Sequence, residues 1–145
     1  MSDAGRVLLL DTHVWIWMVN GTADRIGRAA RARIEEASTR HGLRVSVMST
    51  WEVAMLEARG RLTLALDGRD WVARALGAPG VVLEELTPAI AVESTRLPES
   101  DDVRDPVDRM LVATARQREL TFVTADARVL AYAKGGRLRA LDARR

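Results

Sequence analysis

Along the chain the spacing of apolar positions changes repeatedly, and each spacing predicts an element. Arg6-Val-Leu-Leu-Leu10 is an apolar run without alternation that stops at Asp11, as expected of a strand buried on both faces of a parallel sheet. Residues 12–19, with Val14, Trp15, Ile16, Trp17 and Met18, predict a short buried helix closed by the turn signal Asn20-Gly21. Ile26, Ala30, Ile34 and Ala37 recur every three or four positions, which predicts an amphipathic helix over about 25–40. Arg44-Val-Ser-Val-Met48 alternates and is β-branched, so it reads as a second strand. Ser49-Thr-Trp-Glu52 has the pattern of a capping box, opening a helix that runs to Arg59-Gly60.

The second half is punctuated as clearly. Leu62, Leu64 and Leu66 alternate within residues 61–68 and fit either an extended edge segment or an ordered loop. Asp70 to Leu76 predicts a short helix stopped by Gly77-Ala-Pro-Gly80, and residues 81–86 predict a third strand. Thr87-Pro88 is a strong helix start, with the helix reaching about Leu97-Pro98. Asp105-Pro106 starts another helix that extends through Arg118. Leu120 to Thr124 is then a fourth strand, Asp126 to Ala133 a helix and Leu138 to Leu141 a last strand. Strands alternating with helices predict one α/β domain over residues 1–145, an α/β/α sandwich with a mostly parallel sheet of four to five strands.

In such sheets ligands gather at the carboxyl ends of the strands. Asp11 follows the first strand directly, Glu52 comes four residues after the second and Asp126 two after the fourth. Taken alone, each acid has a structural reading. Asp11 and Asp126 suit helix N-caps, Glu52 suits the capping box of Ser49, and Asp108 suits the first turn of its helix. Taken together they differ from caps, because parallel topology brings these helix starts to one end of the sheet. Four carboxylates so gathered repel one another unless a cation neutralises them.

Composition narrows the chemistry. The chain has no cysteine, which excludes disulfides, thiolate metal sites and a cysteine nucleophile, and permits a cytoplasmic location. The run from Val7 to Leu10 is far too short to span a membrane, and no export signal is expected. Net charge is only +2, but Lys134 is the sole lysine among 22 basic residues. Arginine's planar fork suits phosphate oxygens. Hard carboxylate donors favour Mg2+ or Mn2+, and such ions serve phosphoryl transfer by activating water and stabilising charge on the leaving group. His13 lacks a histidine partner, since His41 lies at the far end of a predicted helix.

The segments Leu8 to Trp17, Ser49 to Ala54, Asp105 to Ala115 and Phe122 to Asp126 together resemble the PIN-domain family. Within it they are most similar to VapC-type toxins of toxin–antitoxin pairs. The resemblance spans about residues 7–131 in the correct order. It implies an endoribonuclease whose catalytic and metal-binding acids fall on Asp11, Glu52, Asp108 and Asp126, with Mg2+ or Mn2+ as cofactor. It further implies an RNA substrate, a homodimer and silencing by a cognate antitoxin. The motif departs from many members at His13, where they carry Asn. Thr12, Ser49, Asp105, Arg109 and Thr124 are candidate supports for the acids. Trp15, Trp17, Trp51 and Trp71 are assigned mainly to the core. Two other readings compete: a metal-dependent phosphatase of another α/β family, which needs a second Asp where His13 stands, and a catalytically inactive PIN-fold binding module.

Overall fold

Leu8, Leu9 and Leu10 are all buried, and this three-residue strand, β1, is the middle of the sheet. A computed structural model describes residues 6–145. After β1 (Leu8–Leu10) come α1 (Thr12–Val19), α2 (Arg28–Ser38), β2 (Leu43–Ser46), α3 (Val47–Ala58), α4 (Gly68–Leu76) and β3 (Val81–Glu84). They are followed by α5 (Pro88–Ser94), α6 (Pro106–Arg118), β4 (Thr121–Thr124), α7 (Ala127–Tyr132) and β5 (Ala140–Asp142). All strand pairs are parallel and the order is β3-β2-β1-β4-β5. The chain therefore winds outward from β1 to β3, crosses back and winds outward again from β4 to β5. That reversal opens a crevice at the carboxyl ends of β1 and β4.

Each face of the sheet carries its own core, and the pleat of β1 feeds both. Leu8 and Leu10 pack with Val14, Trp15, Ala30, Ile34, Val53 and Trp71. Leu9 packs on the opposite face with Ile90, Val107, Leu111, Val112 and Val129. Phe122 and Val123 divide between the same two cores. Alternation of side chains along a strand forces this split, so helices α1 to α4 cover one face and α5 to α7 the other. Among the described residues no helix is long and apolar enough to cross a membrane.

The local start signals at Thr87 and Asp105 hold. Thr87 accepts from the Ile90 N–H, and Asp105 Oδ1 from the N–H groups of Val107 and Asp108 at 2.9 and 3.1 Å. The capping box at Ser49 does not. Helix α3 begins at Val47 and is capped by Ser46, whose hydroxyl accepts from the Met48 N–H at 3.0 Å. Ser46 is where β2 ends in extended backbone, which is the geometry an N-cap needs; Ser49 lies inside the helix and is fully buried. Residues 61–67 form an ordered loop, not a strand. Leu62 and Leu64 pack against the core, and Glu57 accepts from the Gly68 N–H to fasten the start of α4. Helix α5 ends at Ser94, short of the expected Leu97.

Trp15 and Trp71 lie in the core, with their rings edge to face at 5.0 Å. Trp51 does not belong there: it is 53% exposed.

Candidate active site

Asp11 is only 3% exposed, and such burial of a carboxylate requires donors on both oxygens. Oδ1 accepts from the Thr12 N–H at 2.8 Å, capping α1, and Oδ2 accepts from the Thr124 hydroxyl at 2.7 Å. Thr124 uses the same oxygen to accept the Asp126 N–H at 3.0 Å. One threonine at the end of β4 therefore joins the acid after β1 to the acid after its own strand. Asp126 caps α7, accepting from the N–H groups of Arg128 and Val129 at 2.8 and 3.2 Å. Both bonds fall on Oδ1, so Oδ2 is not used by the cap.

Glu52 and Asp108 reach the same place from helix flanks. Asp11, Thr12, His13, Ile16, Glu52, Leu56, Asp108 and Asp126 line one cleft of about 120 Å3. Ser49 contributes from beneath: its hydroxyl and that of Thr12 lie 2.8 Å apart, tying α3 to α1. Thr12 also lies near enough to the Glu52 carboxylate to favour its charged form. Asp105 stands beside the cleft as the cap of α6, near enough for its charge to act on both Glu52 and Asp108. Arg109 turns elsewhere. Its guanidinium donates to the carbonyls of Ser94, Ser100 and Val103 at 2.7, 3.2 and 2.7 Å, so it braces the loop after α5 and neither tethers Asp105 nor faces the cleft.

The acids lie near enough for their charges to act on one another. Burial raises the Asp11 carboxyl, opposed by His13, Thr124 and Thr12 and reinforced by Asp126. Burial likewise raises Glu52, with Asp11 and Asp105 adding to it and Thr12 opposing it. Asp108 is pushed from 3.8 up to about 8, first by burial and then by repulsion from Asp11, Asp105, Asp126 and Glu52 in turn. Mutual repulsion of this kind is relieved by a cation or a proton.

The donors are suited to a hard cation, since every one is a carboxylate oxygen. The one imidazole at the cleft is engaged: His13 Nε2 accepts from the Ala125 N–H at 3.2 Å, which removes its lone pair from any metal. Among the described residues, no three His, Asp or Glu side chains stand close enough to form a finished cage. The acids border a cleft rather than enclose an ion. His13 is the residue that sequence reasoning set aside. Lacking a histidine partner excluded it as a ligand but said nothing of its role as an acceptor.

Comparison with known proteins supplies the context. The model of the PIN domain family matches residues 8–135. The chain is 33% identical over 125 residues to the protein named Ribonuclease VapC22 of Mycobacterium tuberculosis, covering 86% of this chain and 91% of that one. Two solved structures share the fold. DNA-bound VapBC from Salmonella typhimurium superposes with a TM-score of 0.64 at 18% identity, covering 93% of this chain and 96% of that one. VapBC2 from Rickettsia felis, bound to a DNA fragment from the promoter, gives 0.66 at 10% identity, covering 92% and 96%.

Proposed function

This chain belongs to the PIN-domain family, and from that premise we propose that it is a Mg2+- or Mn2+-dependent endoribonuclease, the toxin of a type II toxin–antitoxin pair. The observation that carries the reading is the meeting of four acids from four separate stretches of chain in one cleft at the sheet reversal. The similarity to a protein named as a ribonuclease supports RNA as the substrate.

Asp11, Glu52, Asp108 and Asp126 are the catalytic set and would hold the ion. A divalent cation there supplies Lewis acidity, activating water and stabilising charge on the phosphodiester. The protein's own work is positioning. Thr12 and Thr124 occupy both oxygens of Asp11 and fix its plane. The contact between Ser49 and Thr12 sets α3, and with it Glu52, against α1. Asp108, held up to about 8, retains its proton near neutral pH when no cation balances the acids, which lowers the repulsion among them. Thr12, Ser49, Asp105 and Thr124 thus support the acids, while Arg109 supports the neighbouring loop.

The fold is that of VapBC assemblies bound to DNA, which favours a cognate antitoxin that covers the cleft. A homodimer, a cytoplasmic location and a single PIN-like domain over residues 1–145 complete the reading.

The decisive experiment offers purified protein RNA, DNA and a phosphate monoester, with Mn2+ or with EDTA. RNA cleavage that EDTA abolishes, and that Asp11→Asn lowers by roughly 10^3-fold or more, is expected. Turnover of the monoester alone would instead mark a phosphatase, and RNA binding without turnover an inactive module. Expression of the chain without its antitoxin should arrest growth; unimpaired growth with soluble protein would remove the toxin assignment and leave the nuclease standing.

A further inference from the structure

His13 sits in the first turn of α1, two residues beyond Asp11, and its ring lies across the crevice between β1 and β4. Nε2 is 3.2 Å from the Ala125 N–H, and Nδ1 is 3.6 Å from Asp11 Oδ2. A backbone N–H can only donate, so Nε2 is the acceptor and the ring proton is assigned to Nδ1, facing the carboxylate. At 3.6 Å that second contact exceeds hydrogen-bond length and acts electrostatically.

The need for this acceptor follows from the topology. Strand β1 stops at Leu10 and turns into α1, so beyond it the neighbouring strand offers no further carbonyl to β4. Ala125 is nevertheless buried, and a buried N–H left without an acceptor is unfavourable. The imidazole supplies the missing partner. It is braced from behind by Trp17, edge to face at 5.1 Å, over whose ring Arg25 lies at 5.8 Å.

Resting on the nuclease reading, we infer that His13 is a positioning residue: it pins Ala125, the residue immediately before Asp126, to the start of α1 and so sets Asp126 against Asp11. Thr124 makes the parallel link on the other side of Ala125. Two ties thus fix the separation of the two strand-end acids. The same contact keeps the imidazole out of the ligand set.

Variants of the full chain separate the two ring nitrogens. Gln at position 13 can return an acceptor near Nε2, and Asn only a donor near Nδ1. With His13→Ala, amide exchange at Ala125 should quicken by at least ~10-fold, Mn2+ should bind ~10- to 100-fold more weakly, and kcat on RNA should fall with KM altered less than ~2-fold. His13→Gln should restore Ala125 protection and most of the Mn2+ affinity; His13→Asn should not. In the wild type, imidazole 15N resonances should show the Nδ1–H tautomer, a readout that survives even if the Ala variant does not fold. An Nε2–H tautomer, unchanged Ala125 protection in His13→Ala, or rescue by Asn equal to that by Gln would each overturn the inference. Absence of RNA cleavage by wild-type protein would instead sink the nuclease reading, because tautomer and exchange are measured without turnover.

Discussion

Two halves of the acidic cleft are built by different means. Asp11 and Asp126 stand at the ends of β1 and β4, where the fold occupies their oxygens with helix caps and with the Thr124 hydroxyl. Glu52 and Asp108 ride on α3 and α6. Asp108 accepts no hydrogen bond among the described residues, and its carboxyl is raised by burial and by four neighbouring acids. The first half is therefore part of the framework, and the second is tolerated by it. Removing a carboxylate from either half should end catalysis, but only removal from the first half should cost stability.

The sharpest way to break this contrast is to truncate one acid from each half. Asp11→Ala strands the buried Thr124 hydroxyl and the Thr12 N–H, and should lower unfolding free energy by about 2–4 kcal/mol. Asp108→Ala should leave the metal-free protein as stable or raise its Tm. Denaturant melts of both, in EDTA, check this; equal destabilisation would erase the distinction.

Mn2+ tests the second half directly. At ~100-fold excess over Kd, an ion that binds only the folded state stabilises it by about 2.7 kcal/mol. Thermal melts should show that shift in wild type and most of it lost in Asp108→Asn.

Asp126 divides its two roles within one side chain. Asp126→Ala should lose about 1 kcal/mol through the cap of α7, whereas Asp126→Asn, an equally good cap, should keep the stability and still lose RNA cleavage.

The smallest effect is the pH slope. Asp108 is held up to about 8 against an ordinary 3.8, so the folded state binds its proton more tightly than the unfolded state does. The resulting stability is complete below the ordinary carboxylate range and is lost as pH rises through about 8. In EDTA, Tm should fall between about pH 5 and about pH 9, and Asp108→Asn should flatten the slope. A slope unchanged in that variant would assign the titration to another group.

How much of this was legible in the residues depends on how far each signal reaches. Thr87-Pro88 and Asp105-Pro106 marked helix starts because donor and acceptor lie within three residues. The apolar run at Leu8 to Leu10 marked a strand buried on both faces because burial leaves no polar alternation. Ser49 was harder: its capping-box pattern is local, but the end of β2 places the cap on Ser46. The Ser49 hydroxyl instead finds Thr12, 37 residues earlier. Trp51 carries nothing in its neighbours that distinguishes an exposed tryptophan from the buried Trp15.

The sequence by itself determined the alternation of strands and helices and the helix starts at Asp11, Thr87, Asp105 and Asp126, because these follow from contacts within a few residues and from the spacing of apolar side chains, whereas Glu52 falls in the middle of α3. Tertiary structure alone decided that β4 lies beside β1, that Thr124 reaches Asp11 across 113 residues of chain, and that His13 serves as an acceptor for Ala125. Hydrogen bonds between distant segments exist only after the sheet has chosen its strand order, and that choice is made by packing two cores on opposite faces at once.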